Sequence, residues 1–358
     1  MKPSKPDTEP NGAAGQAATA FFESVREACR AAESRAGLAI RRFVIGGYAV
    51  EIRFAGDALL PHLAPALEHL AAPAHSGKPD LTICAWESES TNTPMPPRPW
   101  GSDDCIARGD IRGFGNERID LALSADVGAV SLLDAEENLG IFWIRAAGHI
   151  PTYERGAPLR SILHWWMRRR GRLLIHAGAI GREGKGALLV GRGGSGKSTA
   201  ALTCMLNGWR YLSDDYCLLA AEGEPRAYSL YNTAKLTADH LKNFPALQPA
   251  VSNPGELGGE KALLFIHDHM PDRAISDTRV NMVLLPRVSG DPETRIRPAS
   301  PTAALRALAP SSLFQIPGTG RFEFQALADF VKRIPCFHLA LGTDMDKIPD
   351  VLWKAFPQ

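Results

Sequence analysis

The sequence has no apolar run that approaches the roughly 18 residues that a helix needs to cross a bilayer. Its first segment, Met1 to Gly15, is polar, contains proline and lacks the apolar stretch of a signal peptide. We therefore expect no spanning helix, no signal peptide, no membrane partner and a cytoplasmic location. Residues 1–16 are expected to form a disordered tail.

The sequence also lacks paired cysteines and an excess of charge of one sign. The six cysteines are scattered and form no C-x-x-C pair, a pattern that favours reduced, buried thiols. The formal net charge is only +1, so bulk electrostatics gives no reason to expect a nucleic-acid partner. No internal repeat is evident, which argues against a solenoid.

Two globular domains are predicted, because 358 residues with 45% hydrophobic content can bury two ordinary cores. Residues 17–150 carry two helical segments, Ala17 to Ala36 and Asp57 to Leu70, among strand-like pieces and predict a mixed α/β accessory domain, with substrate recognition as one interpretation. Residues 151–358 begin with a helical stretch, Leu159 to Arg170, and then predict a strand-rich domain around the helix that follows a glycine-rich loop. Further helical stretches are predicted at Ala238 to Phe244, Ala303 to Leu308 and Phe324 to Ile334. The expected fold class is α/β.

The glycine-rich loop is the segment GRGGSGKS, which fits G-x-x-x-x-G-K-[ST] at every fixed position. An apolar run, Ala187 to Val190, precedes it, and a helical pattern follows until Asn207 and Gly208. Strand, loop and helix in this order turn backbone N–H groups onto a phosphate at a helix N-terminus. The predicted nucleotide contacts are Gly191, Gly193, Gly194, Ser195, Gly196, Lys197, Ser198 and Thr199.

Within this loop, Lys197 is expected to reach the β- and γ-phosphates, and the Ser198 hydroxyl is expected to bind Mg²⁺. ATP and Mg²⁺ are therefore the expected cofactors.

A pair of carboxylates, Asp214 and Asp215, follows the loop helix after a short apolar run. Adjacent residues on a strand point to opposite faces, so the two acids can take different duties. One can hold Mg²⁺ while the other accepts the proton of an attacking hydroxyl. The alternative is an exposed turn with two solvated acids.

Two further residues are candidates for the same site. His176 ends the strand-like run Leu173 to Ile175, and it can reach a carboxylate or the phosphates if that strand pairs beside the P-loop strand. A satisfied structural histidine is the alternative. Lys235, predicted to lie in a strand-to-helix connection, can contact a transferring phosphoryl group or be a solvated surface lysine. Arg295 and Arg297 can bind an acidic or phosphorylated group or be ordinary surface arginines.

In this order, the segments HAGAI, GRGGSGKST and YLSDDY resemble the HPr kinase/phosphorylase family. The resemblance implies a P-loop kinase domain related to phosphoenolpyruvate carboxykinase, in a family that phosphorylates a serine of the carrier protein HPr. It implies that Asp214 is the general base, that Asp215 and Ser198 form the Mg²⁺ side, and that His176 orients or tunes the base. Asp214, His176 and Lys197 are thus the expected catalytic residues.

The resemblance extends from His176 to Leu219 and does not include the family's second signature, a glycine-rich segment with an acid and a base. Gly255 to Lys261 is the nearest segment, so the reverse phosphorylase reaction is not predicted. The whole-chain layout is similar to HPr kinase-like proteins of peptide natural-product clusters, including lasso-peptide precursor kinases. This similarity implies a serine of a peptide or small protein as the acceptor.

Other functions fit the same motifs. A nucleotide-dependent switch or ATPase would release ADP without a phosphorylated product, and a scaffold would carry an inactive loop. A kinase of HPr or of a small-molecule hydroxyl would use the same residues. The sequence identifies neither the acceptor nor the oligomeric state, and a homo-oligomer is one option.

Overall fold

The computed structural model describes residues 12–73, 77–106 and 108–356. The chain forms two compact units, one of residues 1–170 with Phe314–Gly320, the other of Gly171–Leu313 with residues 321–358. The first unit thus extends past residue 150, where the sequence-based boundary lies, and it includes a short segment from late in the chain. Residues 12–16 of the expected disordered tail belong to a helix, while residues 1–11 lie outside the described residues.

The first unit is built on a six-stranded mixed sheet with the order β1-β2-β3-β6-β5-β4. Its strands are β1 Leu38–Ile45, β2 Tyr48–Ala55, β3 Leu81–Glu87, β4 Ile119–Ser124, β5 Ala129–Asp134 and β6 Leu139–Ile144. The β2–β3 and β3–β6 pairs are parallel and the others antiparallel. Gly46 and Gly47 close the β1–β2 hairpin at positive φ, a backbone conformation that glycine adopts without a steric penalty.

The helices of the first unit are α1 Gly12–Ala36, α2 Leu60–Leu63, α3 Ser88–Thr91, α4 Thr152–Arg155 and α5 Arg160–Arg168, with 3₁₀ turns at Pro65–Leu70, Ser102–Asp104 and Ala147–His149. Helix α1 packs its apolar side, including Phe22 and Val25, onto the sheet. Helix α5 was expected in the second domain. It lies in the first unit, where it packs against β5, and Trp165 and Arg168 donate hydrogen bonds to the carbonyls of Pro317 and Gly318 in the late segment of that unit.

The second unit contains a nine-stranded mixed sheet and a separate hairpin. The sheet comprises β7 Leu173–His176, β8 Gly178–Arg182, β9 Lys185–Leu189, β10 Arg210–Ser213, β11 Tyr216–Ala220, β12 Arg226–Ser229, β15 Asp277–Val288, β16 Arg295–Pro298 and β17 Cys336–Leu341. The hairpin pairs β13 Thr233–Leu236 with β14 Ala262–Phe265. Strands β9, β15 and β17 are mutually parallel, so their carboxyl ends meet at one edge.

The helices of the second unit are α6 Lys197–Leu206, α7 Ala238–Leu241, α8 Ile266–His269, α9 Pro301–Leu313, α10 Arg321–Arg333 and α11 Ile348–Ala355, with 3₁₀ turns at Pro245–Ala250, Pro254–Glu256, Pro271–Arg273 and Met345–Lys347. Helices α6 and α11 contribute to the core on one face of the sheet, and α9 and α10 contribute to the core on the other. The helical stretches predicted after the loop correspond to α7, α9 and α10, whereas α8 and α11 were not anticipated. Within the described residues, no helix combines the length and apolar character needed to cross a membrane.

Candidate functional site

The glycine-rich loop joins β9 to α6 at the carboxyl edge of the parallel strands. Gly194 and Gly196 have φ of +76° and +102°, so both adopt a left-handed conformation that other residues reach only with strain. A Cβ on Gly196 would also lie 2.4 Å from the Leu341 side chain of the adjoining strand β17. Space is open above Gly193 and Gly194, where a Cβ would meet no atom within 4 Å. The loop can therefore accept a phosphate over its two central glycines.

Lys197 begins α6 and is only 7% exposed. Its ammonium group donates to the carbonyl oxygens of Gly191 at 2.7 Å and Arg192 at 3.5 Å, within its own loop. Burial lowers the pKa of Lys197, and the nearby charges of Asp214 and Asp215 act in the opposite direction. The lysine is thus held at the loop, close to both carboxylates.

The two aspartates were expected to lie on a strand, but they do not. They form the bend between β10, which ends at Ser213, and β11, which begins at Tyr216. The bend is not the exposed turn that was the alternative, since Asp214 is 4% exposed and the Asp215 side chain is 23% exposed. The two acids still differ in their contacts, because the bend directs them to different neighbours.

Asp214 faces the P-loop. It accepts a hydrogen bond from the backbone N–H of Lys235 at 3.2 Å, and the Ser198 hydroxyl lies near enough to act on its pKa in the lowering direction. Its other oxygen, Oδ1, is buried and has no hydrogen-bond partner among the described residues. Burial raises the pKa of Asp214 above its ordinary value, and the charge of Asp215 adds to this effect.

Asp215 is held by two side chains, His176 and Lys235. His176 Nε2 lies 2.7 Å from Asp215 Oδ1, and Lys235 Nζ lies 2.9 Å from Oδ2. Burial alone would raise the pKa of Asp215, but the Lys235 charge and the His176 hydrogen bond outweigh it and lower the pKa far below its usual range. Asp215 is therefore ionised at neutral pH, whereas Asp214 is the easier of the two to protonate.

His176 reaches Asp215 by a different route from the one expected. Its strand β7 pairs with β11 and not with the P-loop strand β9, whose neighbours are β8 and β15. In this register His176 lies opposite Tyr216, and the two rings stack with centroids 5.1 Å apart. The Ser312 hydroxyl also contacts the His176 backbone N–H at 3.0 Å. These contacts fix the imidazole beside Asp215.

Lys235 lies within β13 and not in a strand-to-helix connection. The same residue contacts both aspartates, Asp214 through its backbone N–H and Asp215 through its ammonium group. It is thus not the solvated surface lysine that was the alternative. In the described structure its charge is directed to Asp215, so a direct contact with a phosphoryl group stays a prediction.

Sequence reasoning missed three residues at this site. Tyr216 and Ser312 position His176, and the charge of Lys261 lies close enough to contribute to the lowered pKa of Lys197. Lys261 ends the Gly255 to Lys261 segment, which the resemblance had left without a role. No motif distinguished Ser312, because it comes from α9 and meets β7 only through the fold.

The residues present fit both a nucleotide and a divalent cation. Ser195 Oγ is buried without a partner among the described residues, as is Asp214 Oδ1, so the loop and the carboxylate each offer an unused polar atom. Carboxylate and hydroxyl oxygens are the ligand type that Mg²⁺ prefers. The Asp214 oxygen and the Ser198 hydroxyl would hold the ion. Thr199 lies in the first turn of α6, and its predicted phosphate contact stays a prediction.

Residues 158–251 match the model of a protein family described as SynChlorMet cassette protein ScmC. This range includes the P-loop, both aspartates and Lys235. No curated protein matches the sequence. Among solved structures, the chain is similar to the Hpr(Ser) kinase/phosphatase from Coxiella burnetii at 12% identity, with a TM-score of 0.29, over 51% of this chain and 94% of that one.

Proposed function

We propose that this protein is an ATP- and Mg²⁺-dependent serine kinase that transfers the γ-phosphoryl group to a hydroxyl of a peptide or small protein. One observation carries the proposal. The loop lysine, a buried carboxylate with an unused oxygen beside the loop serine, and a second ionised carboxylate converge in the second unit. In phosphoryl transfer the protein mainly positions the reactants and neutralises charge, and these groups suit both tasks.

Each group has a defined task. The backbone N–H groups around Gly193 and Gly194 and the Lys197 ammonium bind the phosphates, and Ser198 with Asp214 holds the metal. A Mg²⁺ ion held by these two residues would supply positive charge that neutralises the phosphates. The serine oxygen forms a bond to γ-phosphorus as the bond to the β–γ bridging oxygen breaks, so the products are a phosphoserine, ADP and one proton.

The contacts support a division of roles opposite to the one that the resemblance implied. Asp214 is nearly inaccessible and lies near the metal-binding hydroxyl of Ser198. Asp215 is more exposed, is ionised at neutral pH, and is held in place by His176. We therefore assign Asp214 to the metal side. Asp215 accepts the hydrogen bond and the proton of the incoming serine, and His176 is its positioning residue.

The acceptor in this proposal is a peptide of a biosynthetic gene cassette, such as a lasso-peptide precursor. The family match to a cassette protein across residues 158–251 supports that setting. HPr and a small-molecule hydroxyl are the competing acceptors, and a nucleotide-dependent switch is the competing function.

The test is the intact mass of each candidate acceptor after incubation with the protein, ATP and Mg²⁺. The candidates are HPr and any short precursor peptide encoded beside the gene. A gain of one phosphoryl group that is lost in Lys197→Ala establishes the kinase and its substrate class. ADP release with no phosphorylated acceptor would instead favour the switch or ATPase.

The role division has a separate test in the Mg²⁺ dependence of the rate. We expect Asp214→Asn to raise the Mg²⁺ concentration needed for half-maximal rate, and Asp215→Asn to lower kcat at an unchanged Mg²⁺ requirement. The reverse pattern would restore the assignment that the resemblance implied.

A further inference from the structure

A row of three arginines and a histidine on the second unit is not used by the proposed site. It consists of Arg287 on β15, Arg295 and Arg297 on β16, and His338 on β17, and these residues line a cavity of about 330 Å³ with Asp291, Leu339 and Ala340. The four side chains are exposed. We call this surface the arginine face.

The sheet register places the arginine face on one side of the sheet. In the strand register, Ala340 on β17 lies opposite Arg287 on one side and opposite Arg295 on the other, and His338 lies opposite Arg297. Residues opposite each other in neighbouring strands, and residues two apart along a strand, share a face. The small side chain of Ala340 leaves a shallow floor between Arg287 and Arg295.

Two of the three arginines have uncommitted charges. Arg295 pairs with Glu293 at 3.4 Å and with Asp291 at 3.9 Å. For Arg287 and Arg297, the described residues provide neither an ion pair nor a hydrogen bond. Unpaired guanidinium groups above a concave floor present donors that match carboxylates.

The arginine face begins next to the P-loop. The carbonyl oxygen of Pro286 lies 4.0 Å from the Cβ position of Gly191, and Val288 lies 3.5 Å from that of Gly196. Arg287 stands between these two strand residues in the chain. Because neighbouring residues on a strand point to opposite faces, Arg287 lies on the face of the sheet opposite to Val288, so the arginine face shares this edge of the sheet with the P-loop but lies on the side away from α6.

From this arrangement we infer that the arginine face binds an acidic segment of the peptide acceptor. Neighbouring strands are about 4.8 Å apart, so the side chains on β15 and β16 are separated by roughly 10 Å. An extended peptide advances about 3.3 Å per residue and alternates its side chains between two faces, so carboxylates four positions apart, about 13 Å, can pair with Arg287 and Arg297 together. The inference rests on the proposed kinase function for the identity of the ligand as an acceptor.

The test measures binding of fluorescent synthetic peptides to the full chain without nucleotide. One peptide carries a serine and glutamates at that spacing, and its matched control carries glutamine at the same positions. We expect the acidic peptide to bind on the order of tenfold more tightly, with an affinity that falls as salt is added. Because phosphoryl transfer is not measured, failure here leaves the kinase test unaffected.

Variants identify the surface. We expect the double change Arg287→Gln and Arg297→Gln to weaken acidic-peptide binding on the order of tenfold, and Arg295→Gln to weaken it less, because Arg295 is already paired. Arg306→Gln removes an exposed arginine on α9 outside the face and should leave binding unchanged. Thermal unfolding of each variant checks that it is folded.

Three results would overturn the inference. They are equal binding of the acidic and glutamine peptides, wild-type affinity in the folded double variant, and equally tight binding of a polythymidine oligonucleotide. The last result would identify a general polyanion surface and not an acceptor site.

Discussion

Buried aspartates have opposite surroundings in the two units. In the first unit, Asp134 is fully buried and accepts hydrogen bonds from Arg118 at 2.6 and 2.9 Å and from the backbone N–H groups of Glu136 and Glu137. In the second unit, Asp214 is almost as buried, yet its Oδ1 has no partner among the described residues.

The pKa shifts follow the same contrast. Burial opposes ionisation of both residues, but at Asp134 the hydrogen bonds from Arg118 and the backbone outweigh it and lower the pKa. At Asp214 burial wins and raises the pKa. A chain keeps a poorly satisfied buried carboxylate at a cost in stability, so its retention points to a ligand. Asp134 stabilises the fold, and we assign Asp214 to binding of the metal ion.

Activity gives the largest expected difference between the two residues. We expect Asp214→Asn to slow acceptor phosphorylation on the order of 10³-fold, because the metal side of the site loses its charged oxygen. Asp134→Asn is the matched control, and its rate should stay near that of the wild type. The measurement is the initial rate of phosphopeptide formation at saturating ATP. Equal losses in both variants would remove the contrast.

His176 sharpens the comparison within the second unit. Because His176 positions Asp215, we expect His176→Ala to lower kcat about 10- to 100-fold with little change in the KM for ATP. His176→Gln keeps a hydrogen-bond donor and should recover part of the loss. A change confined to the KM for ATP would argue against the positioning role.

Stability should change in opposite directions in the two units. Asp134→Asn leaves Arg118 without its charged partner, and the partly exposed pair limits the expected loss to about 2 kcal/mol in the free energy of unfolding. Asp214→Asn removes a poorly compensated buried charge and should stabilise its unit by about 1 kcal/mol. Urea unfolding of each variant measures both values, and a large destabilisation by Asp214→Asn would contradict the account.

The pH dependence of these differences gives the smallest expected effect. The pKa of folded Asp214 is above its ordinary value of 3.8, so the advantage of Asp214→Asn is present at neutral pH and is lost as the pH falls towards 3.8. The pKa of folded Asp134 is below 3.8, so the deficit of Asp134→Asn persists to pH 3.8 and shrinks only below it. Unfolding series across this range should separate the two titrations, and a shared midpoint would contradict the assigned surroundings.

The sequence predicted the local parts of the site well because short-range patterns determine them. The strand, the loop and the helix that Asn207 and Gly208 end all lie within one continuous segment. A contact of His176 with the catalytic carboxylate was expected, but the residue that it contacts is Asp215, and the strand pairing behind this contact was not anticipated. Pairing of β7 with β11 is a long-range choice that no local spacing encodes.

Other features were out of reach for the same reason. Helix α5 has the same local pattern in either unit, and its place depends on packing against β5 and on hydrogen bonds to residues about 150 positions later in the chain. The different surroundings of Asp214 and Asp215 depend on the bend that carries them and on Lys235 from a separate hairpin. The sequence therefore identified the residues of the site, but which of them contact each other became visible only in the three-dimensional structure.

Calorimetry of ATP binding, with and without Mg²⁺, tests the central claim most directly. The claim is that the unpaired Asp214 oxygen and the P-loop form a Mg²⁺–nucleotide site. We predict that Mg²⁺ strengthens ATP binding in the wild type and in Asp134→Asn, and that this gain is lost in Asp214→Asn. Mg²⁺-strengthened binding that persists in a folded Asp214→Asn variant would contradict the account.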